Sequence, residues 1–237
     1  MNSRVEIMGC IIDNLSMEET LQKVESFIQS DQPHQHVVVN VDKVVKASKD
    51  PDLRRIINEC ALVNVDGMPV VWASRLLGKS LKERVAGVDL FESLVKRAAV
   101  KGWRVFFLGG EEETVCGLKE FYRKQLPRLQ VAGYRNGYWN PEEEAGVVKL
   151  VADSRPQLLF VAISSPKKER FLGRYLAEMN VPFAMGVGGA FDVAVGKVKR
   201  APAWMQKSSL EWFYRFLQEP RRMFRRYFVD DLYFFWL

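Results

Sequence analysis

Hydrophobic and polar positions follow two different periods along the chain, and each period predicts a different kind of element. Short apolar runs rich in Val, Ile and Phe alternate with longer stretches whose apolar residues recur at helical spacing. The short runs predict strands, because they are too brief for helices and are bounded by Gly, Pro, Asn or Asp. The predicted strands are 4–8, 10–12, 36–41, 61–65, 103–108, 129–134, 157–163 and 183–187.

The longer stretches predict helices, and two of them carry capping boxes at their starts. Ser16 pairs with Glu19 in this pattern, and Asn140 pairs with Glu143. Strands that alternate with such helices predict an α/β fold, a largely parallel Rossmann-like sheet flanked by helices. Two of the predicted helices start at residues 16 and 141. The others span 43–49, 52–59, 68–77, 89–101, 111–125 and 166–178.

Small or polar residues lie at or just past the ends of five of the predicted strands. They are Asn40, Asp66, Gly109, Ser164 and Gly188. In parallel sheets, ligands bind beyond the carboxyl ends of the strands. The five positions therefore predict one shared cleft.

The glycines after the strand at 183–187 are the densest of these signals. The backbone N–H groups of Gly188 and Gly189 can bind an anion. The Asp192 carboxylate can accept hydrogen bonds from a sugar hydroxyl or a base edge, and the cations at 197, 199 and 200 can bind phosphates. A plain tight turn followed by a solvated charge run explains the same residues equally well. A dinucleotide fingerprint is incomplete, because Phe191 replaces its last glycine. A nicotinamide enzyme therefore ranks low.

Length and composition indicate one domain with a terminal extension. The chain has 237 residues, of which 48% are hydrophobic. No apolar run approaches the roughly 18 residues of a membrane span, and the N-terminus lacks a secretory pattern. The chain is therefore expected in the cytoplasm. The wide spacing of its three cysteines, Cys10, Cys60 and Cys116, predicts buried free thiols. Its two histidines, His34 and His36, are predicted to lie in a polar loop before a strand.

Charge is concentrated at the C-terminus. The net charge is +6, and from Lys197 onward nine Lys or Arg stand against four Asp or Glu. Twelve aromatic residues also lie between Trp204 and Leu237. A basic, aromatic segment of this kind predicts an anionic partner, which is either a membrane surface or a nucleic acid.

The segment 183–202, FAMGVGGAFDVAVGKVKRAP, resembles the WecG/TagA/CpsF family of bacterial glycosyltransferases, whose members carry GVGG-x-[FY]-D-x-x-x-G-x-[VK]-K-R-A-P. The resemblance continues over nearly the whole chain, in the family's order. The further matches are VDG at 65–67, RVAG at 84–87, FLGG at 107–110, GY at 137–138, SPK-x-E at 165–169, LEW-x-YR at 210–215 and EP at 219–220.

The resemblance implies an inverting transferase that uses a UDP-sugar and adds the second sugar to a polyprenyl-diphosphate-linked sugar. Asp66 matches the family's general base, although its spacing alone favours an N-cap for helix 68–77. The family implies no metal cofactor, and the chain lacks a D-x-D pair suited to a metal on a diphosphate. Arg215, Arg222 and Arg225 match the C-terminal arginines that complete the site, with a helix break expected at Pro220.

Ten further positions match the family's substrate-binding residues. Tyr138 is one of them, and it fits a core position equally well. Two positions that line the presumed sugar pocket depart from the family pattern: Lys168, one of the ten, replaces Gln, and Val38 replaces Thr. A cation there suits a uronate or a phosphate, so the donor sugar stays open. The ten residues are Asn40, Gly67, Arg84, Gly109, Gly110, Tyr138, Lys168, Gly188, Gly189 and Asp192.

The prediction for domain organisation is a body at 1–203 and a helical appendage at 204–237. We expect the appendage to complete the site and to dock on the inner face of the bacterial membrane, with 204–217 packed on the body and 221–237 in contact with anionic lipid. Deletion of 221–237 should then leave a folded protein. The alternatives are a nucleic-acid-binding protein and a non-catalytic nucleotide-sugar-binding homologue. For the transferase we expect no nucleic-acid partner, and a homo-oligomer stays open.

Overall fold

The structure, a computed structural model, describes residues 4–207, 210–220, 224 and 234, without the side chains of 203, 207 and 215. Its strands are β1 (Arg4–Ile7), β2 (Cys10–Asp13), β3 (His34–Val39), β4 (Leu62–Val65), β5 (Arg104–Gly109), β6 (Gln130–Arg135), β7 (Leu158–Ala162) and β8 (Phe183–Gly186). Its helices are α1 (Met17–Ser30), α2 (Val41–Lys49), α3 (Pro51–Glu59), α4 (Met68–Leu76), α5 (Gly87–Lys101), α6 (Glu112–Gln125), α7 (Glu144–Ser154), α8 (Lys167–Met179), α9 (Ala190–Ala194), α10 (Ala203–Lys207) and α11 (Glu211–Gln218).

Six strands form a parallel sheet in the order β4-β3-β8-β7-β5-β6, which confirms the predicted α/β class. Both faces of this sheet are covered, because successive side chains of one strand enter different cores. Phe107 and Phe160 pack with α1, α5 and α6, whereas Phe106 and Leu159 pack with α7 and α8. Burial on both faces explains why the strands read as continuous apolar runs.

The first two strands form an antiparallel hairpin outside the main sheet. Met8 and Gly9 make its turn with φ values of 49° and 79°, where glycine removes the steric cost at the second position. Asp13 fixes the hairpin to the sheet, because its Oδ2 accepts a hydrogen bond from the Val63 N–H at 2.9 Å. Its Oδ1 also pairs with Arg4 at 3.1 Å. The hairpin therefore lies against the β4 edge of the sheet.

Strand β3 corrects the expectation for the histidines. It begins at His34 rather than 36 and ends at Val39, so both histidines lie in the strand. His36 is buried and its Nε2 donates to the Asn64 Oδ1 at 2.9 Å. Burial lowers the pKa of His36 to about 3. The neutral imidazole is thus a structural hydrogen-bond donor. Cys10 and Cys60 are buried as predicted, whereas Cys116 is only half-buried.

The C-terminal segment contacts the body only in part. The side chains at 204, 212, 213 and 217 are exposed, whereas Met205 is buried and Glu211 contacts Arg84. Further along, Phe234 is buried in the core cluster of Val70, Val71 and Leu81. Deletion of 221–237 removes this core residue, so we expect the deletion to destabilise the protein rather than leave its fold intact. Helix α11 ends at Gln218, before Pro220 as predicted.

Within the described part of the chain, no helix is both long enough and apolar enough to cross a membrane.

Candidate active site

The carboxyl ends of the strands place the predicted cleft residues along one edge of the sheet. Asn40 and Asp66 immediately follow β3 and β4, Gly109 ends β5, and Gly188 lies two residues beyond β8. Neighbouring strands are about 4.8 Å apart, so the edge from β4 to β6 spans roughly 24 Å. A substrate with several groups can therefore lie across it, with Asp66 at one end.

Asp66 is held in place by its own backbone and by the loop after α4. Its N–H donates to the Val39 carbonyl at 2.9 Å, and its Oδ2 accepts from the Gly87 N–H at 3.2 Å. Gly67 is the N-cap residue of α4 and has a φ of 125°, a conformation that favours glycine. Since no side chain caps α4, the interpretation of Asp66 as its N-cap is wrong.

Arg84 lies beside the Asp66 carboxylate. The loop that carries it is fixed by a hydrogen bond from the Val85 N–H to the Val65 carbonyl at 2.9 Å. The Nη1 of Arg84 is 3.9 Å from the Asp66 Oδ1. Although the carboxyl keeps contact with solvent, burial among protein atoms raises its pKa, and Arg84 and the Gly87 hydrogen bond only partly oppose this. A carboxylate with a raised pKa is a stronger base than an ordinary aspartate.

A row of alternating charges connects Asp66 to the C-terminal helix. Glu211, the first residue of α11, lies 3.5 Å from Arg84 and 3.5 Å from Arg200. Arg200 in turn pairs with Asp89 at 2.5 Å. Sequence reasoning missed Glu211 and Asp89, and assigned Arg200 only to a general basic cluster. This row holds α11 over the Asp66 end of the cleft.

Replacing Glu211 with Gln should shift the acid limb of the pH–rate profile to lower pH. The charges of Glu211 and Asp89 both raise the pKa of Asp66, so loss of one charge lets Asp66 stay ionised in more acidic solution. The measurement is kcat/KM for sugar transfer as a function of pH. Glu178→Gln, at an exposed position of α8, is the control. An acid limb that does not move, or that moves to higher pH, contradicts this coupling.

The glycines after β5 are required by close packing. A Cβ on Gly109 would lie 2.5 Å from the Ala162 carbonyl oxygen, and Gly137 approaches the Gly109 Cα closely. The Gly110 N–H donates to the Ala162 carbonyl at 2.9 Å. Beside Gly110, the Thr114 hydroxyl donates to the Asp192 Oδ1 at 3.3 Å. Asp192 is therefore anchored next to the glycine turn.

The turn after β8 is open towards the cleft. Gly188 has a φ of 54°, and nothing lies within 4 Å of a Cβ placed on it. Gly189 is the N-cap residue of α9, which has only five residues. Lys197, which follows α9, pairs through its Nζ with the Oε2 atoms of Glu111 and Glu113 at 3.2 and 3.1 Å. Part of the predicted phosphate-binding cluster is thus already neutralised.

Two other predicted residues have clear local surroundings. Asn40 caps α2, because its Oδ1 accepts from the Lys43 N–H at 3.0 Å. Tyr138 is 70% exposed, so the alternative that it belongs to the core is wrong. The next residue, Trp139, is the buried one. Tyr138 remains accessible to a ligand at the β6 end of the cleft.

Lys168 belongs to a buried cluster of three charges that the sequence did not indicate. Its Nζ lies 3.0 Å from the Glu169 Oε1, and the Lys43 Nζ lies 2.9 Å from the same oxygen. Burial and the neighbouring ammonium lower the pKa of Lys168 to about 8. Although burial opposes it, the two ammoniums lower the pKa of Glu169 to about 2. The cluster carries a net positive charge and packs against Gly186, at the end of β8.

The structure describes only part of one of the three predicted catalytic arginines. Arg215 lies in α11, but its side chain is outside the described part. Arg222 and Arg225 also lie outside the described residues. Their assignment to the site stays a prediction, supported by the contact between Glu211 and Arg84 that brings α11 to the cleft.

A carboxylate of raised pKa beside an arginine, at a strand end of a parallel α/β sheet, is typical of an enzyme's binding cleft. Comparison with known sequences identifies the class of enzyme. Residues 5–237 match the model of the glycosyl transferase WecG/TagA/CpsF family. The chain belongs to this family and is a glycosyltransferase. The motifs that indicated the resemblance therefore identified the family correctly.

Two curated relatives carry the same name, N-acetylglucosaminyldiphosphoundecaprenol N-acetyl-beta-D-mannosaminyltransferase. The protein from Bacillus spizizenii (strain ATCC 23059 / NRRL B-14472 / W23) is 37% identical over 186 residues, which cover 78% of this chain and 72% of the relative. The protein from Bacillus subtilis (strain 168) is 34% identical over 211 residues, which cover 89% of this chain and 78% of the relative.

Proposed function

We propose that this glycosyltransferase uses a UDP-sugar and adds a second sugar, with inversion, to a polyprenyl-diphosphate-linked sugar during assembly of a cell-surface polysaccharide or teichoic acid. The relatives' names supply the class of acceptor. The observation that carries the proposal is the Asp66 carboxylate, fixed by Gly87 beside Arg84 at the end of β4.

The chemistry requires one base and one displacement. Asp66 removes the proton from an acceptor hydroxyl as the hydroxyl oxygen attacks the anomeric carbon of the donor. The bond from that carbon to the diphosphate oxygen breaks, and its electron pair leaves with UDP. Attack from the opposite side converts an α-linked donor into a β-glycoside, so no covalent enzyme intermediate forms.

The leaving diphosphate needs positive charge or N–H donors. We propose that arginines supply it and that no metal cofactor is required. The chain's D-x-D pair, Asp50 and Asp52, lies at the start of α3 and pairs with Arg170, so it does not suit a metal on the diphosphate. Arg215, Arg222 and Arg225, in contrast, match the family's C-terminal arginines. The contact of Glu211 with Arg84 brings α11 to this end of the cleft and so supports the proposal.

The deciding experiment is transfer from a panel of UDP-sugars to a water-soluble, short-prenyl diphospho-GlcNAc in the presence of EDTA. We expect release of UDP and a β-linked disaccharide, identified by mass and by NMR. An α-linked product would contradict inversion. Activity that is lost in EDTA and restored by Mn²⁺ would contradict the metal-free proposal, and no transfer from any donor would contradict the function itself.

Because the acceptor is linked to a membrane lipid, we propose that the protein works as a peripheral protein on the inner face of the membrane. A polyprenyl diphosphate does not leave the bilayer readily, so the enzyme must approach it. The exposed aromatic side chains of Trp204, Trp212 and Phe213, with nearby basic residues, suit the headgroup region.

Lys168 should set the preference for the donor sugar. Lys168→Gln leaves Lys43 and Glu169 as a balanced pair, so it should shift the preference from an anionic uronate donor to a neutral N-acetylated one by about 10-fold or more. In the unsubstituted enzyme, the same preference should weaken as pH rises through about 8, because Lys168 then loses its charge. The measurement is the ratio of kcat/KM for the two donors.

The neighbouring Lys167 provides a matched control, because it is exposed and lies over the Trp139 ring at 5.1 Å. Lys167→Gln should leave the donor ratio unchanged. If Lys168→Gln also leaves it unchanged while the protein stays folded, the buried cluster supports the structure alone.

A further inference from the structure

Within the residues that the structure describes, helix α4 presents an apolar face that is not packed against the body. This α4 face consists of Trp72, Leu76 and Leu77, which are 52%, 89% and 52% exposed. The opposite side of the helix, including Val70 and Val71, is buried in the core. Single exposed hydrophobic residues are ordinary, but three large ones together on one short helix indicate a contact surface.

The charges around this face have one sign within its own segment. Between Met68 and Lys82 the chain contains Arg75, Lys79 and Lys82 and no Asp or Glu. The nearest acids outside this segment are three. Glu83 follows Lys82 and accepts from the Met17 N–H at 3.0 Å, Glu19 pairs with Lys82, and the carbonyl of Glu6 accepts from Lys79. Arg75 and Lys79 are exposed beside the leucines. The combination of Trp, Leu and cations fits an anionic headgroup layer.

A second copy of the chain fits this face less well. A two-fold dimer would place the α4 face against itself and bring Arg75 and Lys79 close to their own copies. The segment supplies no acid to neutralise them. A bilayer avoids this repulsion, because its anionic headgroups attract the same cations.

We propose that the α4 face docks on an anionic lipid bilayer and holds the cleft at the membrane. This inference rests on the proposed function, because a lipid-linked acceptor is what requires docking. Helix α4 begins two residues after Asp66. Nine residues at 1.5 Å each give a helix of about 14 Å, so docking at its far end keeps Asp66 within roughly that distance of the headgroups.

The test is sedimentation of the full chain with vesicles of phosphatidylglycerol and phosphatidylcholine. Leu76→Ser/Leu77→Ser should lower the partition coefficient about 10-fold or more, since binding scales with buried apolar area. The melting temperature and transfer to the water-soluble acceptor should stay unchanged. Val100→Ser/Leu150→Ser, at exposed apolar positions of α5 and α7, is the matched control and should bind normally.

Several outcomes overturn the inference. An unchanged partition coefficient shows that the α4 face does not meet lipid. A fall in the melting temperature shows that it packs within the chain, and a change in oligomeric state shows that it binds a second copy. These failures are distinct from failure of the proposed function, which appears as no transfer to the water-soluble acceptor by the unsubstituted enzyme.

Discussion

Replacing Asp66 with Asn should reduce sugar transfer by about 100-fold or more, because the substitution removes the base and keeps the shape of the side chain. The amide oxygen of the substituted side chain can still accept the hydrogen bond that the Gly87 N–H now donates to Asp66. The loop at 84–87 should therefore stay in place. The measurement is kcat with a saturating donor and a water-soluble acceptor, together with circular dichroism to verify the fold.

The same Asp66→Asn substitution should not lower the stability of the protein, although it lowers activity. The pKa of Asp66 is raised in the folded protein, mainly by burial, so the folded state binds this proton more tightly than the unfolded chain does. The associated stability is present below the unfolded pKa, about 3.9, and is lost as pH rises through the folded value. At neutral pH the ionised Asp66 thus costs stability, and Asp66→Asn should raise the melting temperature or leave it unchanged.

Asp153→Asn is the control for loss of a negative charge, because Asp153 lies on α7 and pairs only locally with Lys149. It should retain full activity. If Asp66→Asn keeps more than about a tenth of the original rate, another group accepts the proton.

Replacing Phe234 with Ala should destabilise the protein by about 3–5 kcal/mol, the usual cost of removing a buried Phe. Phe234 is buried among Val70, Val71 and Leu81, and the cluster includes residues of α2, α3 and the N-terminal hairpin. The measurement is the free energy of unfolding in urea. The same cluster supports α4 next to Asp66, so activity should fall at temperatures where the variant begins to unfold.

Phe224 provides the comparison within the same segment, because it is exposed. Phe224→Ala should cost about 1 kcal/mol or less. Equal effects of the two substitutions would contradict the buried position of Phe234. For the C-terminal arginines, the substitutions Arg222→Ala and Arg225→Ala are cleaner tests than truncation, since truncation also removes Phe234.

The fold class was predictable because it depends on local periodicity. The alternation of apolar runs and amphipathic stretches located every strand of the sheet to within a few residues. The order of the strands was not predictable, because it depends on contacts between distant segments. The sequence predicted the hairpin at 4–13 as two short strands. Its place in the fold is set by contacts with distant residues, such as the hydrogen bond from the Val63 N–H to Asp13 and those of Asn58 with Gly9 and Ile11.

The candidate site was predictable where a residue directly follows a strand, as Asp66 and Asn40 do. Glu211 lies in the LEW-x-YR motif, but the motif did not indicate its contact with Arg84, because that contact joins residues 127 positions apart. Lys168 was assigned to the sugar pocket from a single departure in a motif. Its pairing with Glu169, and through Glu169 with Lys43, depends on the meeting of α2 and α8 at the end of β8, which no local pattern encodes.

Strand β8 lies in the middle of the sheet, although it is the last strand in the described part of the chain. It pairs with β3 on one side and β7 on the other, and the first of these contacts joins His34 to Phe183. During synthesis, the edges of β3 and β7 therefore stay unpaired until residue 186 leaves the ribosome. Such edges can pair with other chains. The two halves of the cleft also meet only at that moment, so a nascent chain that already contains Asp66 cannot yet bind a substrate across it.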